Sequence, residues 1–391
     1  MDFKERFLTA VNHREADRVP MMGTILDPAT SCKILGRPVP NIAELLSGDD
    51  PKDELVATLN GSEVWNQSYL NTVSGNLESA ATLGYDANWA VYSLMQLHRD
   101  PDTKVGWSWQ DPFGRVWEIC EDSAGNSIIN YSRGLCPTPE AWEAKMEENR
   151  PLLDAMPNYA RSFHSALVER FADRIYPVCY AAPGVFENCW QPMGFVEFTS
   201  LIYQDPDFMR RVVAFHTEHY LRHLDAVLDT GMEVVMGGDD LGQKTGPMLR
   251  PAMIEEFFGD SYRRIAERVH QRGAKLLWHS CGNIYALLEM FVDWGFDGII
   301  TMEPTADMEV GRVRELVGDK LVLIGNLDVS RLLVRGSQRE VDEAVKQAIK
   351  GAASGGGFVL SASHSHSLID PQRLEWMIEA GHRYGQYPLN L

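Results

Sequence analysis

The chain lacks the features that define secreted and membrane proteins. Its six cysteines, at positions 32, 120, 136, 179, 189 and 281, form no Cys-x-x-Cys pair and no dense framework, which excludes a disulfide-stapled scaffold and indicates a reducing compartment. No stretch approaches the roughly 20 apolar residues that a membrane-spanning helix needs. The N-terminal Met1-Asp-Phe-Lys-Glu-Arg is charged rather than signal-like. We therefore expect a cytoplasmic protein without a membrane partner.

Basic residues are also scarce. The 391 residues include 36 Lys and Arg against 55 Asp and Glu, which gives a formal net charge of -19 at pH 7. Such a surface repels nucleic acids and anionic membranes, so we expect no nucleic-acid partner. The 45% hydrophobic content is enough to bury a large core. A small molecule or another protein is the expected partner.

Short β-rich runs alternate with helical patterns along most of the chain. Alternation of this kind predicts parallel pairing, and eight strands close a (β/α)8 TIM barrel. We predict one such α/β domain over 1–391, with an N-terminal helical segment. A doubly wound open sheet is the alternative, but no Gly-x-Gly-x-x-Gly follows the first strand. The predicted strands lie near 19–26, 86–93, 175–182, 233–238, 275–280, 298–303, 321–326 and 357–363.

Residues 105–135 interrupt this alternation. Three β-rich runs, at 107–109, 115–120 and 127–130, are separated by Asp-Pro-Phe-Gly and Ala-Gly-Asn turns. Runs of this length with turns between them predict a β-meander. We expect it to be an insertion over the mouth of the barrel.

The fifth predicted strand ends in a pair of metal-binding residue types, His279 and Cys281, within Lys275-Leu-Leu-Trp-His-Ser-Cys-Gly-Asn283. Side chains alternate with period two along a strand, so both point to the same side and can reach one ion. Imidazole and thiolate are typical zinc ligands, and the carboxyl ends of barrel strands hold the active site. The sequence therefore predicts a Zn²⁺ site at this end of the barrel.

Other strand ends offer further ligands. His364 and His366 follow the eighth strand with the same two-residue spacing, and Glu187 follows the third. A tetrahedral zinc needs three or four ligands. The predicted set is His279, Cys281 and His364, with His366 or Glu187 as a fourth.

Three acidic residues at strand ends are candidate catalytic residues. Asp239 and Asp240 form an adjacent pair flanked by glycines after the fourth strand, and Glu303 ends the sixth. Either aspartate can orient a substrate hydroxyl or a ligand histidine, or else cap a helix. The sequence leaves both interpretations open.

Two larger groups of residues also invite a functional interpretation. Histidines 216, 219 and 223 share one helix face, but without a cysteine or a closing partner this pattern indicates a solvated face. Aromatic residues either line a pocket or fill the core. The pocket candidates are Trp65, Tyr69, Trp89 and Trp190.

Five motifs, in this order, make the chain resemble the uroporphyrinogen decarboxylase superfamily, over nearly its whole length. The His-x-Cys-Gly pattern within them is similar to that of the corrinoid-dependent methyltransferase branch, whose barrels hold zinc at the strand ends. The resemblance implies a TIM barrel, a zinc site and a corrinoid (cobalamin) carried by a partner protein. The motifs are Phe7-Leu-Thr-Ala-Val-Asn-His-Arg-Glu-Ala-Asp-Arg-Val-Pro20, Gly238-Asp-Asp-Leu-Gly with Gly246-Pro, His279-Ser-Cys-Gly282, Gly325-Asn-Leu-Asp328 and Gly355-Gly-Gly-Phe-Val-Leu-Ser361.

Two departures from the family patterns narrow the expected chemistry. Met21-Met-Gly-Thr-Ile-Leu stands where the tetrapyrrole decarboxylases carry a segment of the Met-Arg-Gln-Ala-Gly-Arg type, so a basic site for porphyrinogen carboxylates is missing. Val359-Leu-Ser-Ala-Ser-His364 stands where thiol-methylating members have a segment like Ile-Leu-Ser-Pro-Gly-Cys, which places His364 at the position of the third ligand. One thiolate with two imidazoles leaves a net positive zinc, which is suited to polarising an ether oxygen.

The candidate zinc ligands and the resemblance together predict a zinc-dependent methyltransferase. It would move a methyl group from an O-methyl compound, most simply an aromatic methyl ether, to the cob(I)amide of a separate corrinoid protein, a partner that the resemblance implies. In this hypothesis Asp239, Asp240 or Glu303 orients a neighbouring hydroxyl. Methyl transfer from a methylcorrinoid to a thiol is the first alternative. A related barrel without catalysis is the second. Homo-oligomerisation stays open.

Overall fold

A computed structural model describes residues 1–39 and 62–391, without the side chains of 62–66, 182 and 183. The helices are α1 Phe3–Val11, α2 Pro28–Ile34, α3 Ser62–Leu83, α4 Pro139–Glu148, α5 Arg150–Phe171, α6 Val185–Trp190, α7 Phe195–Gln204, α8 Pro206–Leu228, α9 Pro251–Gln271, α10 Leu288–Asp293, α11 Val310–Val317, α12 Leu332–Arg335, α13 Gln338–Ala352 and α14 Pro371–Tyr384. The strands are β1 Ala87–Val91, β2 Gln96–Arg99, β3 Trp107–Gln110, β4 Arg115–Glu121, β5 Ser127–Gly134, β6 Tyr176–Pro183, β7 Val234–Gly238, β8 Gly242–Gln243, β9 Gly246–Pro247, β10 Lys275–Ser280, β11 Gly298–Thr301, β12 Val322–Leu327 and β13 Phe358–Ala362.

Seven strands form one parallel sheet in the order β1-β6-β7-β10-β11-β12-β13. Their apolar, β-branched runs are buried on both faces, as parallel strands covered by helices require. The strand order follows the chain, with a helical crossover between successive strands. The predicted α/β class with parallel pairing is therefore confirmed.

The first predicted strand, 19–26, is the exception. It makes only two isolated bridges, from Met21 to Leu360 of β13 and from Met22 to Ala87 of β1. Pro20 accepts a hydrogen bond from the Leu360 amide but has no amide hydrogen to donate, so a longer ladder cannot form here. The prediction of a strand was wrong for this segment. The two bridges nevertheless join the edges of the sheet, which is barrel-like.

Helix starts follow local sequence signals. Ser337 and Glu340 form a reciprocal capping box at α13. Asp205 and Asp370 each precede a proline and accept a backbone amide of the first turn of α8 and α14. These signals set where the crossover helices begin, and hence where the loops at the strand ends lie. Within the part of the chain that the structure describes, no helix combines the length and apolar content needed to cross a bilayer.

A second, antiparallel sheet of four strands, β2-β3-β4-β5, spans 96–134. Its first strand, Gln-Leu-His-Arg, is too short and polar to stand out in the sequence, so the sheet starts before the expected 105. Tyr131 donates to the carbonyl of Gln191 after α6 at 2.7 Å. In the turn between β4 and β5, the Asp122 carboxylate accepts a hydrogen bond from Ser367, in the loop after β13. The meander therefore reaches loops that follow both β6 and β13.

The helix face that carries His216, His219 and His223 is buried, not solvated as predicted. The side chains are 1–3% exposed. Phe113, in a turn of the meander, packs edge-on against His216 and His219 at ring distances of 5.3 and 5.1 Å. The prediction failed because the turn of the meander that holds Phe113, about 100 residues earlier in the sequence, covers this face.

Candidate metal centre

Three side chains with different donor atoms converge where β7 and β10 end. Among the described residues, Asp240, His279 and Cys281 are the one group of three whose ligand atoms all lie within 4.8 Å of one another. His279 Nε2 lies 3.4 Å from Cys281 Sγ and 3.3 Å from Asp240 Oδ1. The group arises because β7 and β10 pair in parallel, with Gly238 opposite His279. Asp240 thus joins the predicted His-x-Cys pair.

The spacing of these atoms fits a zinc ion. In a tetrahedral site with bonds of about 2.0–2.1 Å to nitrogen or oxygen and about 2.3 Å to sulfur, neighbouring ligand atoms lie about 3.3–3.6 Å apart. The two observed distances, 3.4 and 3.3 Å, agree with that geometry. One imidazole, one thiol and one carboxylate also form a donor set that zinc accepts.

Neighbouring groups orient two of the three side chains. Asp240 Oδ1 accepts the backbone amide of Cys281 at 2.9 Å. Thr301 Oγ1 lies 2.6 Å from His279 Nδ1, which leaves Nε2 directed at the centre. Thr301 has a φ of 103°, a costly conformation for a β-branched residue. Sequence reasoning missed Thr301, because no local signal announces a contact between two strand ends.

Glycines allow the loops around the centre to touch. A Cβ on Gly282 would lie 2.3 Å from the carbonyl carbon of Gly242, and Gly282 has a φ of 80°. The Gly282 amide donates to Glu303 at 3.0 Å, and Thr305 donates to the same carboxylate. Glu303 therefore holds the loop that follows Cys281. Its carboxylate lies beside the centre without belonging to the group of three donors.

Burial and nearby carboxylates control ionisation at the centre. Burial raises the pKa of the Cys281 thiol well above its usual range, and the charges of Asp240 and Glu303 add to this effect. Burial also acts to raise the pKa of Asp240, but hydrogen bonds from His279 and Cys281 outweigh it, so that pKa is lowered. An ionised carboxylate beside a protonated thiol is a site where a cation would favour thiolate formation.

Asp239 is bonded to helix α6 and Tyr262, whereas the adjacent Asp240 faces His279. Its carboxylate is fully buried and accepts the backbone amides of Phe186 and Glu187 at 3.1 and 2.8 Å, and the Tyr262 hydroxyl at 2.8 Å. Gly184 makes room for it, since a Cβ there would lie 2.1 Å from the carboxyl carbon. Asp239 therefore caps helix α6, and burial raises its pKa to about 7.

Glu187 lies at the end of a polar chain that comes from the meander. Gln191 Nε2 donates to Glu187 at 2.8 Å, and Arg115 Nη1 donates to Gln191 at 3.0 Å. Arg115 Nε in turn donates to Asp111 at 2.5 Å. Burial raises the pKa of Glu187 well above its usual range, and the charge of Asp240 adds to this. Glu187 is outside the group of three donors, and its role as a ligand stays a prediction.

The two histidines after β13 have different surroundings. His364 Nδ1 lies 3.1 Å from Ser363 Oγ, while His366 Nδ1 accepts the Leu368 amide at 3.1 Å. Burial lowers the pKa of His364. The charge of Glu303 partly opposes this lowering, and the charge of His279 adds to it. His364 therefore lies within electrostatic range of Glu303 and His279. Neither histidine is in the group of three donors, so both stay predictions as ligands.

One of the predicted aromatic residues lies at the centre. The Trp89 ring stands edge-on to His279, with 5.1 Å between ring centroids, and is stacked on Tyr180 at 6.5 Å. It forms an apolar wall beside the imidazole. The other candidates lie elsewhere: Trp190 packs against Tyr131, Tyr69 against Phe163, and the side chain of Trp65 lies outside the described residues.

Fold and site together define an α/β protein with a parallel, barrel-like sheet and a candidate metal centre at the carboxyl ends of its strands. The chain belongs to the uroporphyrinogen decarboxylase (URO-D) family, whose model matches residues 153–384. The fold is similar to that of a methyltransferase from Methanosarcina mazei, with a TM-score of 0.65 and 15% identity over 98% of this chain and 99% of that one.

Curated relatives with two different names match parts of the chain. It is 28% identical to the uroporphyrinogen decarboxylase of Dechloromonas aromatica (strain RCB) over 216 residues, which are 53% of this chain and 56% of that protein. It is 22% identical to the methylcobamide:CoM methyltransferase MtaA of Methanosarcina barkeri over 145 residues, 37% of this chain and 41% of the relative. The chain thus spans about half the length of these relatives.

Proposed function

We propose that this protein is a zinc-dependent methyltransferase that takes a methyl group from an O-methyl compound, with aromatic methyl ethers as the substrate class. The acceptor in this proposal is the cob(I)amide of a separate corrinoid protein. The observation that carries the proposal is the convergence of Asp240, His279 and Cys281 at the ends of β7 and β10. The similarity to proteins named as methyltransferases supports it.

In this proposal His279, Cys281 and Asp240 hold the metal, and His364 is the candidate for a further ligand. Zinc bound there supplies a Lewis acid for the oxygen of the leaving group. A carboxylate ligand is harder than a second thiolate, which favours an oxygen substrate over a thiol. The net positive charge expected for one thiolate with two imidazoles does not arise here, because Asp240 and a Cys281 thiolate together neutralise a dication.

The remaining residues at the centre have positioning roles. Thr301 fixes the orientation of the His279 ring, and Glu303 holds the Gly282 amide and with it the loop after Cys281. Trp89, which is 7% exposed and edge-on to His279, makes the surroundings of the imidazole apolar and shields this side of it from water.

Three other functions make different predictions. Methyl transfer to a small thiol predicts turnover with thiols and none with methoxyarenes. A barrel without catalysis predicts neither stoichiometric metal nor turnover. Decarboxylation, the activity in the name of several relatives, predicts carbon dioxide release from a porphyrinogen without a metal requirement.

Metal content of the purified wild-type protein is the first test. We expect one zinc per chain by mass spectrometry, with loss of the zinc in His279→Ala and in Asp240→Ala. The matched control is His270→Ala, because His270 lies on the outer helix α9 and pairs with Asp297 at 2.8 Å. Wild-type protein that binds no zinc would refute the proposed metal chemistry.

The substrate is tested separately, on zinc-loaded protein with a corrinoid protein in its cob(I) state. Formation of methylcorrinoid and of the free phenol from a methoxyarene, absent in His279→Ala, is the expected result. Turnover with thiols alone would instead establish the first alternative. A parallel comparison of His364→Ala and His366→Ala for zinc content tests which of the two completes the site.

A further inference from the structure

Helix α8, which packs against the Glu187-bearing helix α6, carries several buried polar side chains. His219, Tyr220 and His223 are 3%, 1% and 2% exposed. In the described part of the chain, neither the ring nitrogens of these histidines nor the Tyr220 hydroxyl has a hydrogen-bond partner. Buried polar groups in native proteins are almost always bonded to protein or to ordered water. These atoms therefore point to a bound molecule.

A cavity of about 20 Å³ lies at these side chains. A single water molecule needs about 10–15 Å³ of such space, so the cavity has room for an ordered water. Three parts of the fold meet there. The lining residues besides those of α8 include Tyr92 after β1, Asp111 and Arg115 of the meander, and Asn188 of α6.

The chemistry of the lining is complementary across the cavity. Arg115 is 6% exposed and uses Nε and Nη1 for Asp111 and Gln191, while a guanidinium has five N–H donors. A neutral imidazole presents one acceptor nitrogen and one donor. A molecule that accepts from Arg115 and donates to His219 or His223 would satisfy both sides. Water has this capacity and the right size.

A metal ion does not fit the same place. Burial lowers the pKa of His219 and His223, so both imidazoles are neutral and supply no negative charge to balance a cation. The carboxylate that lines the cavity, Asp111, is already paired with Arg115, whose positive charge repels a cation. Removing a dication from water without a compensating anion is strongly unfavourable.

We propose that this cavity is a built hydration site, in which one ordered internal water bridges Arg115 of the meander to His219 and His223 of α8. The water ends a polar chain that continues through Gln191 to Glu187 at the mouth. It therefore ties the meander to the barrel wall and holds the guanidinium that orients Glu187. This inference is independent of the proposed methyl transfer.

A crystal structure at about 1.5 Å resolution, together with a xenon derivative of the same crystals, tests the proposal. We expect a spherical density peak within about 2.7–3.2 Å of an Arg115 nitrogen and of one ring nitrogen each of His219 and His223, and no xenon in the cavity. An empty or xenon-filled cavity would overturn the proposal. An anomalous metal signal there would overturn it as well.

Two variants extend the test to the role of the imidazole. His223→Leu should lose the peak, and the Arg115 side chain should shift away from Gln191. His164→Leu is the matched control, because His164 is equally buried but does not line the cavity, so it should keep the peak. If His223→Leu does not fold, the wild-type structure still decides. A peak unchanged in His223→Leu would contradict the proposed bridge.

Discussion

His216 makes the fold sensitive to acid in a way that can be measured at a single residue. Its ring is 1% exposed and packs edge-on against Phe113, Trp142 and Phe215, with ring centroids 5.3–5.9 Å apart. Burial, reinforced by the charge of Arg115, lowers its pKa to about 3. The ring is therefore neutral in the folded protein across the physiological range.

The sign and size of the effect follow from proton binding. Between pH 6.5 and about 3, the unfolded chain binds a proton at His216 that the folded protein does not, so the free energy of unfolding falls as the pH falls. With an unfolded pKa of about 6.5, the loss from this one group is about 2 kcal/mol at pH 5.0 and about 0.1 kcal/mol at pH 7.5.

Urea unfolding of the wild type and of His216→Leu at pH 7.5 and 5.0 measures the difference. Other titrating groups contribute equally to both proteins, so the wild type should lose about 2 kcal/mol more than the variant between the two pH values. His98→Leu, at an exposed position of the meander, is the control and should change the pH dependence far less. Equal losses in the wild type and in His216→Leu would refute the burial argument.

Three further predictions concern the candidate centre. Thr301→Val removes the hydroxyl that is hydrogen-bonded to His279 and should weaken zinc binding by about 10–100-fold in a chelator competition. Thr301→Ser keeps a hydroxyl and should bind zinc as the wild type does. Equal zinc affinities of the two variants would contradict the positioning role of Thr301. Gly282→Ala should lower the free energy of unfolding in urea by about 2–4 kcal/mol, because the new Cβ would clash with backbone atoms. The control Gly231→Ala, also at a φ of 80° but in open space, should lower it by about 1 kcal/mol. Equal losses in the two variants would exclude the backbone clash. Asp239→Ala should cost about 3–5 kcal/mol, because three buried donors lose their acceptor; a loss under about 1 kcal/mol in the same assay would show that the cap is dispensable.

The strands show what local pattern can predict. Seven of the eight predicted runs correspond to strands of the parallel sheet, since apolar β-branched runs between helical patterns have few other stable arrangements. The run at 19–26 has the same composition but contains Pro20, and only the pairing shows that it makes single bridges to both edges. Strand β2 was not predicted, because its sequence is short and polar and it forms a strand only by pairing with β3.

At the candidate metal centre, the local sequence pattern predicts some of the residues but not the roles of others. His279 and Cys281 were identified because they stand two residues apart on one strand, a relation that the backbone geometry determines. The separate roles of Asp239 and Asp240 could not be identified from the sequence. One turns back to cap α6 and the other faces the imidazole, and this division depends on how helix α6 and strand β10 pack against β7.

By itself, the sequence determined the parallel α/β class and the presence of an imidazole and a thiol at one strand end, because both follow from local periodicity. Only the tertiary structure decided that Asp240 joins them, that Thr301 orients His279, and that the meander buries the histidines of α8. Each of these depends on contacts between residues 22–103 positions apart in the chain, such as His279 with Thr301 and Phe113 with His216. Such contacts are set by the packing of whole elements and leave no mark on the local pattern of residues.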